Sequence, residues 1–243
     1  MNENRKRAVI VGASSGIGRE VARLLLADGW HCGLGARRQE KLAELQAEWP
    51  EQVKIAAIDV TAGDAEDALL RLVEELGGMD LYFHAAGIGW QNRTLAADKE
   101  LATVETNAVG FARMVGAAYR YMAANGGGQI AVISSIAGTK GLGPAPAYSA
   151  TKAMQNCYIQ ALEQQARSRR LNISFTDIRP GFVDTALLAG DPYPMLLKPE
   201  NVAREIVRAI RRKRHVAVID WRWRILTAAW RRVPRCVWRR LKL

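Results

Sequence analysis

The apolar run Arg7-Ala8-Val9-Ile10-Val11 passes without a break into Gly12-Ala13-Ser14-Ser15-Gly16-Ile17-Gly18, and a helical pattern follows over 17–28. Nothing else in the chain restricts the fold as strongly. A short, unbroken apolar run suits a strand buried on both faces, and such strands belong to parallel sheets whose crossovers are helices. Glycine at 12 allows a tight turn, glycine at 16 lets backbone N–H groups approach a ligand, and glycine at 18 lets helix and sheet pack closely. The start of that helix offers partial positive charge and unpaired N–H groups, which suit a pyrophosphate. The spacing is Gly-x-x-x-Gly-x-Gly rather than the commoner G-x-G-x-x-G. Its place at the first strand–helix junction selects a dinucleotide site over a mere turn.

The rest of the chain repeats the alternation. Arg7–Val11, Trp30–Gly35, Val53–Ile58, Asp80–Phe83, Gln129–Ile133, Asn172–Ile178 and His215–Ile219 read as strands. Helical patterns lie between them near 17–28, 38–48, 64–76, 99–123, 147–169 and 199–212. The expected fold class is α/β, a doubly wound Rossmann-type parallel sheet of about seven strands. It forms one catalytic domain over residues 1–220, followed by a basic tail over 221–243.

Charge separates those two parts. From Arg204 onward there are fourteen of the 35 Lys/Arg and two of the 24 acids, a net +12. Residues 1–203 hold the other 21 bases and 22 acids, a net −1, so the basic character belongs to the tail. No stretch reaches the roughly 18 uncharged apolar residues of a membrane span. Ala8–Val11 runs straight into the glycine loop and forms no signal-peptide core, so a cytoplasmic protein is expected. Cys32, Cys157 and Cys236 are widely spaced without a Cys/His ligand pattern, which predicts reduced thiols and no metal.

The second strand leads into Gly35-Ala36-Arg37-Arg38. An acid here would bind a ribose 2′-hydroxyl, whereas arginine neutralises a 2′-phosphate. Arg37 and Arg38 therefore point to NADP(H) as the preferred cofactor, with NAD(H) as the alternative. Farther on, Tyr148 and Lys152 stand four apart in Tyr148-Ser149-Ala150-Thr151-Lys152, and Ser135 precedes the tyrosine by thirteen residues. Positions i and i+4 share a helix face, so an ammonium can sit beside a phenol. A nearby positive charge favours phenolate and lowers the phenol pKa toward a useful range.

Together these segments resemble the short-chain dehydrogenase/reductase family over about residues 7–219. Gly12, Ser14, Ser15, Gly16, Ile17 and Gly18 look like its cofactor loop. Asp59-Val60 matches the dipeptide that meets adenine, and Ala85-Ala86-Gly87 the turn after the fourth strand. Pro180-Gly181-Phe182-Val183-Asp184-Thr185 looks like the loop holding the nicotinamide carboxamide, with Pro180, Gly181, Val183 and Thr185 as contacts. Ser135, Tyr148 and Lys152 fall on the family's active triad and Asn107 on its catalytic asparagine. Two positions depart: Val11 replaces a threonine, and His84 the first asparagine of Asn-Asn-Ala-Gly. For His84 packing or hydrogen bonding is expected rather than proton shuttling.

The resemblance implies a carbonyl reductase. Tyr148 would act as general acid, and Lys152 would lower the Tyr148 pKa and hold the nicotinamide ribose. Ser135 would orient the carbonyl, and Asn107 would hold a water linking Lys152 to solvent. The apolar segment 186–197 is expected to form a lid over a hydrophobic substrate, or else an amphipathic helix packed on the domain. In the tail, Leu226, Trp230, Val233, Val237 and Leu241 would line one helical face, opposite Arg224, Arg231, Arg232, Arg235 and Arg239. Pro234 would divide it into two helices. Tryptophan interleaved with arginine suits an anionic membrane interface, which would make the protein peripheral on the inner face of a membrane. The tail is also similar to extensions of family members that reduce lipid-linked or long-chain substrates. Packing on the domain or a partner subunit is the competing expectation, and no nucleic-acid partner is expected. The family implies a homodimer or homotetramer. A cofactor-binding scaffold or sensor is the alternative from another class.

Overall fold

Successive residues of a strand face opposite sides of its sheet, and the first strand divides accordingly. Ala8 and Ile10 enter one core, and Val9 and Val11 enter the other. The computed structural model describes residues 6–188 and 193–241. Its seven strands are β1 (Arg7–Val11), β2 (His31–Ala36), β3 (Val53–Ala57), β4 (Leu81–His84), β5 (Gly128–Ile133), β6 (Ile173–Arg179) and β7 (Val216–Val218). All pair in parallel, in the order β3-β2-β1-β4-β5-β6-β7. The order reverses between β1 and β4, and ligands of doubly wound sheets bind in the crevice at that point, beyond the carboxyl ends of the strands.

Helices cover both faces. α1 (Gly16–Ala27), α2 (Gln39–Glu48) and α7 (Pro199–Arg211) bury Leu25, Leu26, Leu42, Leu45, Ile206 and Ile210 on one side. α3 (Ala65–Leu76), α5 (Phe111–Ala124) and α6 (Pro146–Ser168) bury Leu69, Leu72, Phe111, Met114 and Ile159 on the other. The strands and most helices match their sequence expectations to within a residue or two.

The single helix expected over 99–123 is built differently. α4 (Ala97–Val104) runs into a π turn at Glu105–Gly110, and α5 continues from there. Gly110 presses against the loop after β3, where an added Cβ would sit 2.9 Å from the Val60 carbonyl oxygen. A wide turn of this kind redirects one side chain and one carbonyl out of the regular helical ladder. Here the redirected residue is Asn107.

Beyond β7 the tail forms α8 (Trp221–Arg232) and the short α9 (Arg235–Trp238). Extended backbone at Val233 and Pro234 separates them, as the proline requires. Among the described residues no helix is long and apolar enough to cross a membrane.

Candidate active site

Every expected site segment except Asn107, Tyr148 and Lys152 comes from a loop at the carboxyl edge of the sheet, and α4–α6 bring those three to the same edge. Gly12 adopts φ +94, and its α-carbon faces the backbone of Ala85 and Ala86 so closely that any Cβ would collide. The glycine loop is thereby fixed against the turn containing Ala86 and Gly87. A Cβ on Gly18 would collide with the Gly12 carbonyl oxygen, so α1 starts flush with the sheet. A Cβ on Gly16 would meet Thr185 Cγ2 at 3.2 Å, which sets the glycine loop beside the 180–185 loop. Ile17 packs against the core on the α1 side.

Arg38 lies across this cradle, donating to the hydroxyls of Ser14 (3.0 Å) and Ser15 (2.8 Å). Asp59 accepts from the Thr61 backbone N–H (3.0 Å) and hydroxyl (2.7 Å), and Val60 beside it is buried. Burial acts to raise the Asp59 pKa, but the two Thr61 bonds and the charge of Arg37 bring it below the usual carboxylate range. The result is an uncrowded backbone loop ringed by two arginines, with no acid at the end of β2. A nicotinamide dinucleotide fits these residues.

Ser135, Tyr148 and Lys152 converge from β5 and the first turns of α6. The Ser135 oxygen accepts from the Ala137 N–H (3.1 Å) and shares a hydrogen bond with the Tyr148 phenol. Ser134 turns the other way, donating to Asp177 inside a buried network that also holds Arg179. Position 135 is thus the serine that faces the tyrosine. Gly89 lies on the Tyr148 ring, leaving no room for a side chain there.

Lys152 is buried and donates to the Ile133 carbonyl (3.0 Å) and Gln155 Oε1 (3.0 Å). Burial lowers its pKa to about 8, with Asp177 opposing. The expected influence of Lys152 on the phenol does not dominate. Its ammonium stands 5.6 Å from the Tyr148 ring centroid, and burial pushes the phenol pKa up, the Ser135 hydrogen bond opposing and Tyr193 adding.

The Asn107 side chain clamps the loop after β4, accepting from Ile88 N (2.9 Å) and donating to Ile88 O (2.6 Å). Its own carbonyl accepts from Gln155 Nε2 at 2.8 Å. His84 holds Nδ1 2.9 Å from the Tyr82 hydroxyl and meets Phe111 edge-on. Burial, then the Lys152 charge, lowers its pKa to about 3, so it is neutral and packed.

Sequence reading missed Gln155, Asp177 and Tyr193. Gln155 sits three residues after Lys152 on the buried face of α6, and a polar residue there was the available signal. Tyr193 lies in the expected lid, its ring tilted against Phe182 (4.5 Å between centroids) and its hydroxyl receiving a hydrogen bond from Gln91 (3.2 Å). Of that segment, 186–188 form a short 3-10 turn, and Leu197 is tied back by Leu197 N to Phe182 O (2.9 Å). Ala189–Pro192 fall outside the described residues.

The tail lies against the rim of the site. Trp223 is 2% exposed, flat on Gly181 and edge-on to Phe182 at 5.3 Å. Trp230 donates to Thr139 Oγ1 (2.6 Å), Trp238 to the Gly141 carbonyl (2.8 Å), and Lys140 to the Val233 carbonyl (2.8 Å). The packed face is therefore Trp223, Thr227 and Trp230. Leu226, Val237 and Leu241, expected on one continuous face, are exposed. The break at Pro234 takes Val237 and Leu241 out of that register, and within α8 the docked face is the one holding Trp223 and Thr227, which leaves Leu226 outside. Trp223→Ala is expected to cost about 2 kcal/mol, less than the usual loss from a closed core because a terminal helix can resettle. An unchanged denaturant midpoint would contradict the packing described.

The chain matches the short chain dehydrogenase model over residues 6–192. It is 32% identical to an uncharacterised oxidoreductase of Mycobacterium tuberculosis, covering 96% of this chain and 93% of that one. It is 31% identical to an uncharacterised oxidoreductase of Staphylococcus aureus, covering 88% and 94%. Among solved structures it superimposes on an alcohol dehydrogenase of the archaeon Thermococcus sibiricus complexed with 5-hydroxy-NADP, with TM-score 0.77, 26% identity and coverage of 89% and 95%. The actinorhodin polyketide ketoreductase with NADPH gives TM-score 0.78, 25% identity and coverage of 88% and 95%. The chain belongs to the short-chain dehydrogenase family, and it is an oxidoreductase of that family.

Proposed function

We propose that the chain is an NADPH-dependent ketone reductase acting on an apolar or lipid-like carbonyl compound. The observation that carries this reading is the meeting of Ser135, Tyr148 and Lys152 at the edge that also holds the glycine cradle, Arg37 and Arg38. Nicotinamide cofactors in two superimposable relatives, the alcohol dehydrogenase and the polyketide ketoreductase, support it. Gly12–Gly18 would hold the pyrophosphate, Arg37 and Arg38 the 2′-phosphate, Asp59 and Val60 the adenine, and 180–185 the carboxamide end.

A bound NADPH would supply hydride to the carbonyl carbon. The protein's task is then the charge that develops on oxygen. The Ser135 oxygen is held by the Ala137 N–H, and its hydroxyl, hydrogen-bonded to the Tyr148 phenol, would turn to the carbonyl oxygen of a bound substrate. The Tyr148 phenol donates the proton, and the high pKa imposed by burial keeps that proton in place at neutral pH. Lys152 has two N–H groups committed, and the third would be left for the nicotinamide ribose of a bound cofactor. Consumption of NADPH against a panel of ketones tests the reading, and a protein that binds NADPH yet reduces none of them would be the scaffold instead.

The tail supports a membrane site for a cytoplasmic protein. With one face of α8 docked, Trp221, Ile225 and Leu226 face outward among exposed Arg224, Arg231, Arg232, Arg235, Arg239 and Arg240. Apolar side chains among arginines suit an anionic lipid surface. The full chain is expected to pellet with anionic liposomes at low salt, and recovery in the supernatant would defeat this part. Exposed Leu101, Val104 and Val109 along α4 and the π turn support a homodimer or homotetramer, measurable by sedimentation.

A further inference from the structure

We infer that Gln155 is a positioning residue of this site: its buried side-chain amide joins Lys152 Nζ to the Asn107 carbonyl and fixes the lysine as an ammonium beside Tyr148. Gln155 has no exposed surface. Its Oε1 accepts from Lys152 Nζ at 3.0 Å, and its Nε2 donates to Asn107 O at 2.8 Å. The π turn aims that carbonyl out of the helix, and the glutamine rises from α6 one turn beyond the lysine to meet it. One neutral side chain thus provides the acceptor an ammonium needs and the donor a displaced carbonyl needs. A hydrocarbon at 155 would leave both groups short of a partner inside the protein.

The groups around Lys152 leave Gln155 a distinct part. Tyr148 faces it from α6 itself and His84, neutral, from β4. Asp177 acts from β6, but its carboxylate is shared between Arg179 and Ser134. Tyr193 bears on Tyr148 from the segment before α7. Among these, the close contacts to Nζ come from two uncharged oxygens, Ile133 O and Gln155 Oε1. Removing one of them weakens the hold on the proton.

This inference rests on reading Lys152 as part of the proton-transfer group, and its test needs no substrate. An NMR titration of the Lys152 side-chain amine, assigned by the signal lost in Lys152→Met, reads the proton directly. Gln155→Met keeps length and volume, and the Lys152 titration is expected to move down by about one pH unit, the scale of a hydrogen bond to a charged group. Gln155→Glu places a carboxylate there, and the titration is expected to move up. A residue that only filled space would lower the melting temperature of either variant and leave the titration where it was. An unmoved titration in a folded variant overturns the inference. In the unaltered protein the Gln155 side-chain N–H protons are expected to exchange slowly with solvent, and exchange at the rate of a free amide would overturn it as well. Ketone turnover that fails while these titrations shift would count against the function alone.

Discussion

Tyr148→Phe is expected to lower kcat for ketone reduction by about 10³-fold, within the range of a lost general acid. The substitution removes one oxygen and keeps the ring that lies against Gly89. Folding and the glycine cradle are untouched, so the NADPH Kd is expected to stay within about twofold. Ser135 loses a hydrogen-bond partner but remains anchored by the Ala137 N–H. Residual rate then comes from orientation and from the Ser135 hydroxyl. Stopped-flow measurement of NADPH oxidation, beside calorimetric titration of NADPH, separates the two quantities. Retained turnover would remove Tyr148 from the chemistry. A parallel loss of NADPH affinity would show that the phenol oxygen holds the cofactor as well as the proton.

The second large effect belongs to cofactor choice. Replacing Arg37 and Arg38 together by alanine is expected to weaken NADPH binding about 100-fold, as two charge-assisted hydrogen bonds to a phosphate disappear. NADH lacks that phosphate, so its affinity is expected to change by no more than about threefold. Arg38 also bonds Ser14 and Ser15, so some loosening of the glycine loop should appear equally with both cofactors. The ratio of the two affinities cancels that shared part. An unchanged ratio would assign the arginines to the solvated start of α2 and leave NAD(H) as an equal cofactor.

The sequence carried the sheet because its signals are local. Unbroken apolar strands, a glycine loop with room for nothing larger, and helices of ordinary length each declare themselves within a few residues. The site segments were legible for a related reason, since each follows a strand end and the fold gathers those ends on one edge. What was not legible depends on contacts distant in sequence. The π turn at Glu105–Gly110 arises where Gly110 meets Val60, and periodicity alone reads straight through it. Gln155 reads as one polar residue on a long helix until Asn107 and Lys152 are seen on either side of it. The pull of Lys152 on Tyr148 followed from spacing, but spacing does not show that Ile133 and Gln155 hold the ammonium 5.6 Å from the ring centroid. The tail's packed face, Trp223, Thr227 and Trp230, was not legible because it is chosen by the loops it meets, and only the loss of Val237 and Leu241 from it follows from Pro234. Trp223, buried on Gly181, is recognisable as an anchor only once the 180–185 loop is beside it.

The central claim is that this chain transfers hydride from NADPH to a carbonyl carbon. Incubation with NADPH deuterated at both C4 positions, followed by mass spectrometry of the alcohol formed from an apolar ketone, measures that step directly. One deuterium on the carbinol carbon of each product molecule is the predicted result. NADPH bound with ordinary affinity and no deuterium delivered to any ketone would contradict it.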